Sequence, residues 1–377
     1  MNSLNKLTTQ VVRPRFVADL GFYQELKRRV QQCVEQHKVS RREFRALHVK
    51  TVVMLCWFVL SYVLLVFVAA NVWQALASSL SLALAIAGIG FNIQHDANHG
   101  AYSDRPILNR TLGFSLDLLG ASSYVWHYKH NILHHTYTNL SRWDDDIDLG
   151  FFGRLSPAQR RRPIYRVQQY YLWLVYGFLG PKWHFVDDFV NIIQGRIGRS
   201  QFRRPKGWEL IGLIGGKLAF VTIAFLVPLI KHSFWQIGLF YAITWFIAGG
   251  VVGVVFQLAH CVEGPIFPIL PSDARIQSSW AVHQVQSTVN FAPRNKFLTW
   301  YLGGLNHQIE HHLFPSLPHV HYSRISKEVR AVCAEFGVRY FAHDSMFRAI
   351  VSHFQWLRRM GKCTDSAVTC PLQACDL

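Results

Sequence analysis

Four stretches of the chain are apolar for about the thickness of a bilayer, and charged positions are largely confined to the segments between them. TVVMLCWFVLSYVLLVFVAA, residues 51–70, carries no charge, and Val72 to Phe91 repeats the pattern after almost no linker. A third run covers 208–230 and a fourth 235–258. At about 1.5 Å rise per residue, roughly 20 residues cross the ~30 Å of a hydrocarbon core, so each run predicts a transmembrane helix. The short turn within each pair predicts two helical hairpins. Lys217, inside ELIGLIGGKLAF, is the one charge at mid-span, and it must snorkel or face the bundle interior.

Outside these runs the periodicity is amphipathic. Phe16, Leu20, Leu26, Val30 and Val34 recur among many charges, predicting a helix lying along the membrane surface. In the long segment 92–207, GASSYVW (120–126) and YYLWLVYGFLG (170–180) are too short to span and belong at the interface or in a core. Ile325, Val329, Val332 and Phe336 mark one late helix, and Met346, Ile350, Phe354 and Leu357 another. The fold class expected is an all-α membrane protein, with four transmembrane helices as two hairpins and a helical cap. Its parts are an N-terminal segment with an interfacial helix (1–50), a main domain (51–330), and a C-terminal helix with a disordered tail (331–377).

Charge orients this picture. Of the Lys and Arg residues, eleven lie in 1–50, fifteen in 92–207 and eleven in 259–377, while the two tight turns near 71 and 232 hold only Lys231. By the positive-inside rule the three basic blocks, both termini and the cap are cytoplasmic. The net charge of +17 is then topology and attraction to anionic headgroups, and no nucleic-acid partner is needed. The N-terminus lacks the apolar core of a cleavable signal peptide. Seven cysteines, with Cys363, Cys370 and Cys375 lacking the close pairing of a zinc site, fit free thiols in a reducing compartment.

Histidine carries the chemistry. Six of nineteen fall between 95 and 135, as HDANH (His95, His99) and WHYKHNILHH (His127, His130, His134, His135). NHQIEHH adds His307, His311 and His312, with His260 and His283 between. Residues four apart on a helix point the same way, so His95 with His99, and His130 with His134, can each converge. Adjacent pairs such as His134 with His135, or His311 with His312, diverge by about 100° and suit two neighbouring metals. Eight or more imidazoles exceed the complement of one zinc, and two metals is the economical count. In the predicted topology every member of the set emerges on one membrane face. Imidazole accepts zinc, copper, iron or nickel, so composition does not name the metal.

HDANH, HNILHHTYTN and GGLNHQIEHHLFPSLPH together resemble the three histidine boxes of the integral-membrane fatty acid desaturases, in order and spacing, over roughly residues 50–325. The glutamine of QIEHH resembles the front-end branch, and within it the chain looks most like the bacterial acyl-lipid delta-6 type acting on linoleoyl chains. The resemblance implies a dioxygen-dependent enzyme that introduces a double bond on the carboxyl side of an existing one. It implies two iron ions held by His95, His99, His130, His134, His135, His260, His311 and His312, with either Gln308 or His307 in the remaining slot. It also implies a fatty acyl substrate (acyl-lipid or acyl-CoA) and residence in a bacterial inner or thylakoid-like membrane. No HPGG motif of a fused cytochrome b5 is present, so a separate donor such as ferredoxin or free cytochrome b5 is expected. Asp96, Asn98, Gln308, Asp144, Asp145 and Asp146 are candidates to orient the ligands, and Tyr124, Trp126 and Trp143 to line an acyl channel. A related membrane hydroxylase or ketolase is the alternative within this chemistry. A metal-ion transporter is the alternative outside it, disfavoured because the spans are nearly bare of polar ligands.

Overall fold

The computed structural model describes residues 12–36 and 41–363; the tail predicted to be disordered lies outside them. The described chain is mostly helical. Helix α1 (Phe22–Gln36) precedes α2 (Arg41–Val63), and α2 leads through a π-helical turn to a break at Ala69–Asn71. Asn71 then caps α3 (Val72–Ile89), its side chain accepting from the Gln74 amide at 3.0 Å. Among the described residues, four helices are long and apolar enough to cross a membrane: Arg45–Val68, Val72–Asn98, Trp208–Ile230 and Phe234–His260. The third coincides with the sequence-based bounds, the first begins six residues earlier and ends two earlier, and the second and fourth run on past their expected ends.

Contacts fix how the four pack. Thr51 bonds Tyr102, and both Trp57 and Ser61 bond Ser81, so α2 and α3 run in opposite directions. Of the four, the second is the most enclosed, 67% of its apolar window being buried, because α2 packs on one side and the last span on the other. A side chain at Gly303 would overlap the carbonyl oxygen of Phe91, and with φ at +58° glycine is also the residue that backbone favours. That close approach seats the GGLNHQIEHH segment against the end of the second span.

Lys217 faces inward. Its Nζ donates to Asp188 Oδ2 and to the Gly120 carbonyl, both at 2.6 Å, and to the His184 carbonyl at 3.2 Å. Asp188 also accepts from the Ser122 amide at 2.8 Å. The pair therefore ties the third span to the turn that begins the second histidine segment. Lys217→Met should leave the Asp188 carboxylate buried without its cation, costing about 3–5 kcal/mol. Replacing Asp188 with Leu in the same chain should recover much of that loss, as read from thermal midpoints in detergent.

The described residues differ from the sequence-based picture at three places. The N-terminal amphipathic helix starts only at Phe22, and its apolar residues Phe22, Leu26 and Val30 are buried against Ile325, Val329 and Val332. Phe16 instead sits in a two-residue strand paired with Ile276, and Leu20 is 93% exposed. The reason is local, because the Asp19 carboxylate accepts from the Gly21 and Tyr23 amides and Gly21 has φ of +97°. An apolar stripe also cannot tell a bilayer from another helix. Second, the boundary at residue 330 falls inside the helix Tyr322–Glu335, on which α1 packs, so neither end segment stands apart. Third, Phe336 is 44% exposed and lies just past that helix.

Candidate metal centre

Two of the histidine-bearing segments leave regular α-helix at the site. The second span passes through a π-helical turn, Gly90–Gln94, directly before His95, and His127–His134 is π-helical throughout. Such turns frequently mark functional sites. Asn92 supports the first, donating to the carbonyls of Gly88 and Tyr301. His260 is the last residue of the fourth span, and His311 and His312 lie on the short helix Gln308–Leu313.

These segments bring eight imidazoles together. Ring nitrogens of His95, His99, His130 and His311 lie within 4.8 Å of one another, as do those of His134, His260 and His312. His135 forms a further such group with His311 and His312, linking the two. The adjacent pairs splay, with ring planes 82° apart for His134 and His135 and 87° for His311 and His312. His130 and His134 stack and share a further group with Asp146, while each also belongs to a different all-histidine group. All eight are buried except His99, which is partly so.

The partners of these rings define which nitrogen is free. His130 Nδ1 lies 3.4 Å from Asp146 and His134 Nδ1 3.0 Å from Asp144. His311 Nδ1 meets the Tyr322 hydroxyl at 3.1 Å, and His312 Nδ1 meets Gln284 Oε1 at 2.8 Å. In all four rings Nε2 is buried without a hydrogen-bond partner among the described residues. A buried unpaired polar atom is costly, and four of them facing one another are the signature of a ligand set for a cation.

Charge state agrees with geometry. Burial, reinforced by neighbouring imidazoles, holds His99, His135, His311 and His312 well below the ordinary imidazole range and His130 at about 3. They are neutral at physiological pH, the form that ligates metal. His134 differs: burial pulls it down, but the Asp144 carboxylate more than offsets this and raises it. Burial also pushes Glu310, held by Asn290 and Tyr340, up to about 7.

The buried histidines give the fold a pH dependence. His130 and His184 are lowered to about 3, and His283, His307 and His353 to about 4, against 6.5 for a free imidazole. Below about 6.5 the unfolded chain therefore takes up protons that the folded chain refuses, and stability present above that pH is lost as pH falls toward 4. Asp117 and Glu310, both raised to about 7, act in the opposite sense but are fewer. The thermal midpoint of metal-free protein should fall by several degrees between pH 7.5 and pH 5; a flat or rising profile would contradict neutral burial.

The remaining candidates sort by contact. His307 joins none of the groups; its Nδ1 is 3.8 Å from Glu310. Gln308 meets the centre, its Nε2 lying 3.1 Å from His260 Nε2. Asp96 accepts from His319 Nδ1 at 2.6 Å, and His319 Nε2 lies 3.0 Å from Lys50 Nζ. Asp145 pairs with Lys129, not with a histidine. Asn98 bonds Gln94 and Gly113 through its side chain. His127 lies 3.0 Å from Asn131, and His283 bonds the Thr138 carbonyl, both outside the groups. Of the channel candidates only Trp126 reaches the centre, stacking on His130 at 4.4 Å and meeting His95 and His99 edge-on. Tyr124 packs on Tyr128 and Phe202, and Trp143 in a separate cluster with Leu140 and Ile276. A cavity of about 460 Å³ lies instead between the spans, walled by Tyr62, Ala75, Ile86, Leu119, Ala224 and Thr244, and none of the three aromatics lines it. Sequence reasoning missed Gln284, His319 and Tyr322, whose roles arise from contacts between segments; the sole hint was that His319 ends the stretch that carries the last box and Tyr322 follows three residues on.

Fold and site together define a membrane protein with a buried poly-imidazole centre able to hold metal. A family model described as fatty acid desaturase matches residues 71–344. The chain is 36% identical to an sn-1 linoleoyl-lipid 6-desaturase of Synechocystis sp., covering 93% of this chain and 98% of the relative. It is 34% identical to a protein of the same name from Arthrospira platensis, over 94% and 96%. An acyl-lipid (8-3)-desaturase of Physcomitrium patens is 34% identical over 90% of this chain and 72% of its own length. The chain belongs to the fatty acid desaturase family, with front-end relatives, and is an enzyme that introduces double bonds into fatty acids.

Proposed function

We propose that the chain is a di-iron, dioxygen-dependent acyl-lipid desaturase of the delta-6 kind, acting on linoleoyl-type chains. The observation that carries this reading is the set of buried Nε2 atoms without partners on His130, His134, His311 and His312, each ring fixed through Nδ1. His95, His99, His130 and His311 would hold one iron and His134, His260 and His312 the other, with His135 between. When bound, the irons supply the dioxygen-dependent oxidation that removes two hydrogens from adjacent methylenes. The protein's part is to present neutral imidazoles, to orient them through Asp144, Asp146, Tyr322 and Gln284, and to keep water out by burial. Gln308 stands against His260 where His307 does not, and so would orient that ring.

The same reading takes the four spans as two hairpins, with cap, centre and termini on the cytoplasmic side of a bacterial membrane. A separate one-electron carrier supplies the electrons. Expression in a host fed linoleate tests the activity. Mass spectrometry should find a new double bond at the sixth carbon with no oxygen incorporated; an oxygenated product would replace this reading with a hydroxylase.

A further inference from the structure

The segment 183–208 carries charge and apolar surface that the centre does not use. The helix Asp188–Gln194 and the turn before it expose Phe185, Val186, Phe189, Val190 and Ile193, one contiguous helical face. On the other side of a short hairpin the third span begins at Trp208, which is 85% exposed. Between these two apolar surfaces, the hairpin pairs Arg196–Ile197 antiparallel with Ser200–Gln201. Residues 194–206 hold Arg196, Arg199, Arg203, Arg204 and Lys206, all exposed, and no acidic residue. Arg203 pairs with Glu209 and Arg204 donates to the Ile193 carbonyl. Arg196 bonds only the neutral Gln194, the Lys206 backbone amide donates to Glu209 Oε2 at 3.2 Å, and the side chains of Arg199 and Lys206 have no carboxylate partner among the described residues.

An exposed apolar face on a short helix stays in contact with hydrocarbon, and so does the start of a membrane span. The cations held between them sit at the depth of the lipid headgroups, where phosphate is the anion at hand. The hairpin is also fastened to the second histidine segment. Ile197 and Phe202 share a core with Val125 and Leu133, and the Tyr124 hydroxyl donates to the Arg203 carbonyl at 2.7 Å. Trp126, next in the chain to Val125, stacks on His130.

We infer that Arg196, Arg199 and Lys206 form a binding site for the phosphate of an anionic glycerolipid, placed beside the metal centre so that lipid-bound acyl chains are drawn from the surrounding leaflet. The inference rests on the acyl-lipid reading above and adds the headgroup class.

The test uses the full chain, metal-free, in nanodiscs of phosphatidylcholine containing a minor fraction of phosphatidylglycerol, with lipids retained by the protein measured by native mass spectrometry. Phosphatidylglycerol should be enriched over its bulk fraction. R196Q/R199Q/K206Q should lower that enrichment, by up to about fivefold for each cation removed, with the thermal midpoint unchanged. R160Q/R162Q, removing two exposed arginines elsewhere, should leave it intact. Absence of enrichment in the wild type, equal enrichment in the triple variant, or equal loss in the R160Q/R162Q control overturns the proposal. Displacement of the lipid by free coenzyme A also overturns it, because the site would then take soluble phosphates. Since the readout needs neither iron nor turnover, its failure is distinct from failure to form a double bond.

Discussion

His311→Ala should abolish desaturation while leaving the protein inserted and folded. His311 belongs to both the group with His95, His99 and His130 and the group with His135 and His312, so its loss weakens both halves of the centre. Its ring is fixed by Tyr322 and packs among His95, His99 and His135 at centroid distances of 4.5 to 4.9 Å. Removing it deletes an imidazole that no other described side chain replaces. Product formation should fall below detection in a host fed linoleate, iron per chain should drop, and membrane-fraction yield should match wild type. Full activity would remove His311 from the ligand set.

Asp144→Asn should have the second largest effect. Asp144 is fully buried, and its carboxylate engages His134 Nδ1 and accepts from the backbone amides of Asn139 and Asp146. The amide keeps the volume but loses the charge that favours a proton on Nδ1, so His134 no longer has its Nε2 lone pair reliably free. Loss of such a partner typically costs 10–100-fold in metal affinity or activity, and iron titration of the variant should show a decrease in that range. Asp145→Asn is the control, since Asp145 faces Lys129 and should change affinity little. Equal effects at both positions would refute the assigned role of Asp144.

These two predictions differ in how far the sequence leads to them. His311 is legible because spacing and topology both single it out: the span ends at His95 and His260 deliver ligands to one place, and the paired histidines splay as helix geometry requires. Asp144 is legible only as one of three consecutive aspartates. Which of the three meets His134 depends on a turn in which Arg142 takes φ of +72°, and no periodicity reports that. Tyr322 and Gln284 reach the last histidine pair from neighbouring helices and His319 reaches Asp96 from 223 residues away, contacts that no local periodicity carries. The spans were readable because length and apolarity alone define them. What the N-terminal stripe packs on is not legible, because it fits a lipid surface as well as the helix Tyr322–Glu335 that covers it. Lys217, an anomaly in the sequence, became intelligible only when Asp188 was found against it.

The most direct test counts iron. Protein purified in detergent, loaded anaerobically with ferrous iron and freed of excess should carry two irons per chain by elemental analysis, and the His311→Ala protein fewer. Wild-type protein that binds none, or saturates at one, would contradict the claim that these distant histidines form a two-iron centre.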